Sequence, residues 1–161
     1  MAAKRGFTLI VKLIFSLAMI VASPHIRAEE HSEDAIKSES ANYQNQLVGS
    51  WTLSSGQYLN DKGKWINYQD LNLSAIKVIS QNYFSFTTMQ TSSGVKTFWA
   101  AGTGKYQLTQ QHYIEFPSLN SFNVQEGESF TFSYKLVGNE WHTERFEAGV
   151  LSEVEVWERL D

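Results

Sequence analysis

The sequence predicts an all-β protein, an antiparallel up-and-down β-barrel of eight to ten strands. Short segments of strand-forming residues recur about every 8 to 12 residues, turn residues separate them, and no helical stretch intervenes. Gly49-Ser50-Trp51 opens this run of segments and Arg159 nearly ends it. A contact between the two would bring the first and last strands together, so the simplest arrangement is a closed sheet.

The composition is that of one folded domain. The chain has 161 residues, of which 42% are apolar and 14% aromatic, which is enough for a substantial core. Cysteine is absent, so disulfides, thiolate metal ligands and a cysteine nucleophile are excluded. The four histidines show no metal-binding spacing, and we therefore expect no metal and no cofactor; they are His25, His31, His112 and His142.

The first 28 residues have the pattern of a signal peptide. Lys4 and Arg5 precede an apolar run at 13–22, and Ala28 suits cleavage by a signal peptidase. We expect an acidic linker at 29–46, the barrel domain at 47–161 and a periplasmic or secreted protein. The ten-residue run is shorter than the roughly 20 residues of a membrane span, so we expect no stable span after cleavage.

Two alternatives remain for this segment. It could be retained as an anchor, or it could be processed differently, because residues 4–10 resemble the leader of type IV prepilins, which are cleaved after a glycine, here Gly6. Val11 stands where pilins carry a glutamate, and Pro24 would interrupt the long pilin helix.

Charge argues against nucleic acid as a partner. The whole chain has a formal charge of −4, and residues 1–28 hold four basic residues and no acid. The mature chain would therefore have nine basic and seventeen acidic residues, a charge of −8. Such a surface repels phosphate backbones and anionic lipid. We expect a monomer.

Within the barrel domain, apolar alternation and turn residues place each strand in order. The loop 56–64 contains Asn60-Asp61-Lys62-Gly63, a strong turn signature, and Gln110-Gln111 forms the clearest hairpin loop. Gly102-Thr103-Gly104 indicates a strand bend or bulge, because no helix follows that could form a phosphate site. The predicted strands are 47–55, 65–68 (or a lid), 74–80, 83–90, 95–100, 104–109, 112–116, 128–137, 140–146 and 153–160.

The motif Gly49-x-Trp51 on the first strand, with Arg159 on the last, resembles the calycin superfamily of lipocalins and fatty-acid-binding proteins. The segments 76–79, 83–86, 101–106, 113–115 and 155–159 are similar, in the same order, to small bacterial lipocalin-like domains of unknown function. The resemblance implies a barrel with a central cavity, with Trp51 at its closed end and Arg159 packed across the indole. It implies no established ligand, and the absence of a cysteine pair separates this short chain from the secreted lipocalins.

Strand parity indicates which side chains point inward. Across the Gln110-Gln111 loop, Leu108 faces Tyr113 and Tyr106 faces Glu115 on one side of the sheet. The same alternation favours an inward stripe at Phe130, Phe132, Tyr134 and Leu136 and a second one at Trp141, Thr143 and Arg145. On the last strand it groups Glu153, Glu155, Trp157 and Arg159, which leaves Val154 and Val156 outside against their hydrophobicity.

These residues predict a non-enzymatic protein that binds a small, largely apolar molecule inside the barrel. We expect the lining to be Trp99, Tyr113, Glu115, Trp141 and Arg145, and barrel closure to involve Gly49, Trp51, Glu155, Trp157 and Arg159. The inward carboxylates Glu115 and Glu155 are expected to pair with Arg145 and Arg159.

Two other functions stay open. A filled barrel would indicate a structural or interaction module of the cell envelope. An enzyme would require Glu115 and Glu155 side by side in a cleft, free of arginine.

Overall fold

The structure is a computed structural model that describes residues 46–125 and 127–161. The predicted signal peptide, its cleavage after Ala28 or Gly6, and the acidic linker up to residue 45 lie outside the described residues, as do His25 and His31. No helix within the described ranges is long and apolar enough to cross a membrane.

The described chain forms nine antiparallel strands in one sheet. They are β1 (Gly49–Leu59), β2 (Trp65–Asn67), β3 (Leu73–Ile79), β4 (Tyr83–Ser92), β5 (Val95–Leu108), β6 (His112–Asn120), β7 (Phe130–Val137), β8 (Glu140–Glu147) and β9 (Val150–Arg159).

β1 pairs with β3, each strand from β3 to β8 pairs with the next one in sequence, and β9 pairs back with β1. Eight strands therefore close into a ring, while the short β2 extends the far end of β1. The predicted all-β antiparallel barrel is confirmed.

Closure occurs where the sequence predicts it. Trp51 lies opposite Arg159 in the β1–β9 ladder, and the Arg159 Cζ lies 4.1 Å from the centre of the Trp51 ring. A guanidinium over an indole face stabilises by about 0.5 to 2 kcal/mol. Arg159 also donates hydrogen bonds to the carbonyl oxygens of Val48, at 3.0 Å, and of Gln46. These contacts fasten the start of β1 to the end of β9.

Gly49 has a specific reason to be glycine. Its φ of +142° lies in a region that side chains other than glycine rarely adopt. A Cβ there would also lie 2.5 Å from Nη1 of Arg159. The glycine therefore leaves room for the arginine that closes the barrel.

The closed end of the barrel is a packed aromatic cluster. Trp51, Tyr113 and Trp141 are fully buried. The rings of Tyr113 and Trp141 meet edge to face with centres 4.9 Å apart, and those of Trp51 and Trp141 lie 5.5 Å apart. The pairing of β5 with β6 agrees with the predicted parity, since Tyr106 lies opposite Glu115 and Leu108 lies opposite Tyr113.

Some strand boundaries differ from the sequence prediction. β1 continues through Gly56 to Leu59, so the predicted loop 56–64 is shorter. The predicted strands 95–100 and 104–109 are one strand, β5, and β6 extends to Asn120. The ladder shifts register between Thr103 and Gly104, which confirms the bulge. A Cβ on Gly104 would lie 2.0 Å from the backbone oxygen of Phe116, so this bulge needs glycine.

Candidate functional site

A cavity of about 280 Å³ lies inside the barrel, between the aromatic cluster and the opposite, open end. Because the strands alternate in direction, this end collects the last residues of β4, β6 and β8 and the first residues of β5, β7 and β9. Ten of the seventeen lining residues are apolar. The lining consists of Leu53, Tyr68, Leu73, Ala75, Lys77, Phe86, Thr88, Trp99, Ala100, Glu115, Phe122, Phe130, Phe132, Arg145, Glu153, Glu155 and Trp157.

A buried ion pair forms the floor of the cavity. The Nζ atom of Lys77 on β3 lies 2.9 Å from Oε1 of Glu115 on β6, and each side chain is only 5% exposed. The hydroxyl of Tyr113 donates a second hydrogen bond to the same oxygen, also at 2.9 Å. Five aromatic rings surround the ammonium group with centres 4.8 to 5.9 Å from Nζ; they belong to Phe86, Tyr113, Phe132, Trp141 and Trp157.

This environment keeps Lys77 protonated. Burial alone would lower its pKa, but the charges of Glu115 and Glu155 and the hydrogen bond to Glu115 together raise the pKa above its ordinary value. Burial and the Glu115 charge also raise the pKa of Tyr113 well above the usual range, so its hydroxyl stays a donor. The floor is therefore a fixed array of one cation, one anion and one phenol.

A second ion pair lies nearer the open end. The Nε atom of Arg145 on β8 donates to Oε2 of Glu153 on β9 at 2.7 Å, and its Nη1 pairs with Glu147. The Tyr68 hydroxyl donates to Oε1 of Glu153. Burial and the charges of Glu155 and Glu153 raise the pKa of Tyr68 above its ordinary value. This network joins β8, β9 and the segment after β2.

Glu155 differs from the other two lining carboxylates. Its Oε2 accepts hydrogen bonds from Nε1 of Trp157 at 2.9 Å and from the Thr143 hydroxyl at 3.5 Å. No ion pair joins it to a cation among the described residues. Burial and the neighbouring Glu153 charge raise its pKa to about 7, against the opposing effects of Lys77 and Trp157. The cavity thus contains a carboxyl group that titrates near neutral pH.

The predicted lining residues divide into two groups. Trp99, Glu115 and Arg145 line the cavity. Tyr113 and Trp141 do not reach it, because they are fully buried in the aromatic cluster at the closed end. Tyr113 still acts on the cavity through its hydrogen bond to Glu115.

The predicted closure residues divide in the same way. Gly49, Trp51 and Arg159 meet at the closed end. Glu155 and Trp157 lie on β9, which pairs with β1, but their side chains line the cavity.

The expected ion-pair partners were wrong. Glu115 pairs with Lys77, Arg145 pairs with Glu153 and Glu147, and Arg159 binds backbone carbonyls across Trp51. Because Arg159 lies at the closed end, it is too deep in the ladder to meet the cavity carboxylates, whereas Arg145 lies directly opposite Glu153.

Several lining residues were not identified from the sequence. Lys77 was missed because Ile76 and Val78 flank it, and hydrophobicity places those two inside; they are in fact 51% and 47% exposed. Phe122 was missed because it lies in the loop after β6, where alternation has no meaning. The register of β3 against β1 and β4 would have shown that Lys77 points into the barrel. The sequence of β3 alone does not show this.

Two other features were considered as sites. A surface depression of about 430 Å³ lies beside Tyr83 and Lys105 on the outside of the sheet, but it is bounded mainly by exposed side chains. Within residues 46–125 and 127–161, no group of three or more histidine or acidic side chains is arranged to hold a metal ion. The interior cavity is the candidate site.

Comparisons with known proteins add little to this picture. No protein-family model and no curated protein matches the chain. A solved structure of the siderocalin Ex-FABP, which is described as functioning through dual ligand specificities, is similar at 11% identity and a TM-score of 0.31. The similarity covers 70% of this chain and 69% of that one. The barrel fold is therefore assigned from the strand pairings of this chain and not from the similar structure.

Proposed function

We propose that this protein is an exported, monomeric, non-enzymatic binding protein that holds a small, largely apolar molecule in the barrel cavity. The cavity itself supports this proposal most strongly. It is lined mainly by apolar and aromatic side chains with a few placed polar groups, which is the usual composition of a small-molecule site. The signal-peptide pattern of residues 1–28 supports export.

The size of the cavity limits the ligand. About 280 Å³ lies at the lower end of the roughly 300 to 1,000 Å³ of small-molecule pockets. An apolar cavity of about 150 Å³ holds one benzene molecule. The ligand we propose is therefore about the size of one or two rings, or a short acyl chain.

The alternative of a filled interaction module is less well supported. A barrel of this size is either filled by side chains or holds one small ligand. The cavity is much larger than the space of two water molecules, at about 30 Å³ each. An unfilled interior favours the ligand-binding function.

Native mass spectrometry of the exported protein tests this proposal. The full chain is expressed for export, and we expect a co-purified molecule as added mass on the wild type. Ala100→Phe would place a ring inside the cavity and leave less room for a ligand, whereas Ala101→Phe changes the adjacent residue, which does not line it. The added mass should be lost only in Ala100→Phe.

The same mass spectra also show where the N-terminal segment is cleaved. Cleavage after Ala28 should leave a chain beginning at Glu29. An unbound wild type that also fails to bind any added small molecule, or added mass that persists unchanged in Ala100→Phe, would contradict binding in the cavity. Cleavage after Gly6 would contradict the signal-peptide proposal and leave the cavity proposal standing.

A further inference from the structure

The Glu155 carboxyl is the one lining carboxylate that has no cation in contact among the described residues. Glu115 is paired with Lys77 and Glu153 with Arg145, at 2.9 and 2.7 Å. Glu155 has only neutral donors, the Trp157 indole and the Thr143 hydroxyl. Its side chain lies on the cavity wall, where a ligand can reach it.

The charges of the lining do not balance when every group is ionised. Lys77 and Arg145 supply two positive charges, while Glu115, Glu153 and Glu155 supply three negative ones. Glu155 is half-buried, and an anion that is partly withdrawn from water costs free energy unless a partner compensates its charge. Burial, together with the neighbouring Glu153 charge, raises the pKa of Glu155 to about 7. One further positive charge would restore the balance.

The walls of the cavity that contains this carboxylate suit a cation attached to an apolar body. Aromatic rings line the cavity at Phe86, Trp99, Phe122, Phe130 and Trp157. Ring faces attract cations electrostatically and also pack against apolar groups. A carboxylate without a counter-charge among aromatic walls is the combination that recognises an alkylammonium group.

We propose that the ligand is a small apolar amine, bound as its ammonium ion with the charged group against Glu155. This rests on the proposed function, because it names the class of molecule that the same cavity holds. An anionic ligand would add to the negative excess, and both lining cations are already paired. A neutral ligand would leave Glu155 with only its neutral donors, Trp157 and Thr143, and no counter-charge.

The proposal predicts a pH dependence. The charged and titratable groups around Glu155 are Tyr68, Lys77, Tyr113, Glu115, Arg145 and Glu153. An ammonium ion binds the ionised carboxylate, whose population rises about tenfold from pH 6 to pH 8 for a pKa of about 7. The affinity for an amine should rise by about the same factor, since an alkylamine stays protonated at both values.

The test uses three probes of similar size, 2-phenylethylamine, 2-phenylethanol and 3-phenylpropionate. Binding to the full chain is measured by calorimetry and by tryptophan fluorescence, since Trp99 and Trp157 line the cavity. At pH 8 we expect the amine to bind at least about tenfold more tightly than the alcohol. Glu155→Gln should remove this preference and the pH dependence while alcohol binding persists. Glu158→Gln, on the exposed outer face, is the matched control.

Each outcome is decisive. Alcohol binding without a preference for the amine, a preference that survives in Glu155→Gln, or tighter binding of 3-phenylpropionate would overturn the amine proposal and leave the binding function intact. Binding of none of the three would overturn both. If Glu155→Gln fails to fold, the pH dependence of the wild type decides, because an amine affinity that is constant from pH 6 to pH 8 contradicts a role for the Glu155 charge.

Discussion

Replacing Lys77 by methionine should severely destabilise the barrel. Methionine has nearly the same length, so the change removes the charge and leaves most of the packing. Glu115 would then be a buried carboxylate with the Tyr113 hydroxyl as its remaining direct partner. The orphaned carboxylate would be poorly solvated, because both side chains are only 5% exposed and aromatic rings surround the ammonium group.

The size of the effect follows from this burial. Removing one partner of a buried ion pair costs about 3 to 5 kcal/mol. The contacts of Nζ with five rings place Lys77→Met toward the upper part of that range. Most of the penalty comes from the orphaned anion, so adding Glu115→Gln should recover about 2 kcal/mol relative to the sum of the single changes.

Urea unfolding followed by tryptophan fluorescence measures these free energies, because Trp51 and Trp141 are fully buried in the folded state. Lys105→Met is the matched control on the outer face of β5, and we expect it to change the free energy of unfolding by less than about 0.5 kcal/mol. The reasoning is refuted if Lys77→Met costs under about 1 kcal/mol, or if the two interior changes are simply additive.

Three further predictions concern closure, the bulge and pH. Arg159→Ala should lower the free energy of unfolding by about 2 to 4 kcal/mol, through lost contact with Trp51 and lost carbonyl hydrogen bonds. Arg159→Lys keeps a cation and a stem over the indole but not the planar guanidinium, so it should lose less; equal losses would contradict a contribution from the positive charge over Trp51. Gly104→Ala forces a backbone shift and should lower the free energy of unfolding by more than about 2 kcal/mol. Gly94→Ala has open space around the new Cβ and only a strained φ, so it should lower the free energy of unfolding by about 1 kcal/mol. Similar losses for the two variants would count against a tight bulge at Gly104. Because the folded-state pKa of Glu155 is raised to about 7, the folded state holds this proton more tightly than the unfolded state. Stability should therefore fall as pH rises from about 4.5 to 7, by up to about 3 kcal/mol relative to Glu155→Gln. Urea titrations at both pH values measure this difference, and an equal pH response of the two proteins would contradict the raised pKa.

The sequence was sufficient for the fold and for barrel closure. The regular strand spacing and the Gln110-Gln111 hairpin determine the register of β5 against β6, which places Glu115 inside. The meeting of Trp51 and Arg159 was predicted from their positions at the two ends of the run, and the packing of the guanidinium across the indole was implied by the family resemblance; the distance between them confirms both. These features depend on local pattern or on a distinctive pair of residues.

The charged pairs of the cavity could not be predicted in the same way. Lys77 and Glu115 come from strands that are not neighbours in the sheet and meet only across the barrel interior. On β3 the polar Lys77 points into the barrel and the apolar Ile76 points out. Hydrophobicity would therefore assign the wrong residues of this strand to the interior. Which buried charged side chains pair with each other depends on the depth of each residue along the barrel axis. Neither the spacing of the strands nor the alternation of residues within a strand indicates this depth.

Nuclear Overhauser contacts between bound 2-phenylethanol and the methyl groups of the protein test the central claim most directly. If the barrel encloses a binding cavity, ligand protons should contact the methyls of Ala75 and Ala100 on its wall. The methyls of Ile76 and Val78, about half exposed on the outside of the sheet, should show none. Contacts confined to Ile76 and Val78, with Ala75 and Ala100 unaffected, would contradict binding inside the barrel.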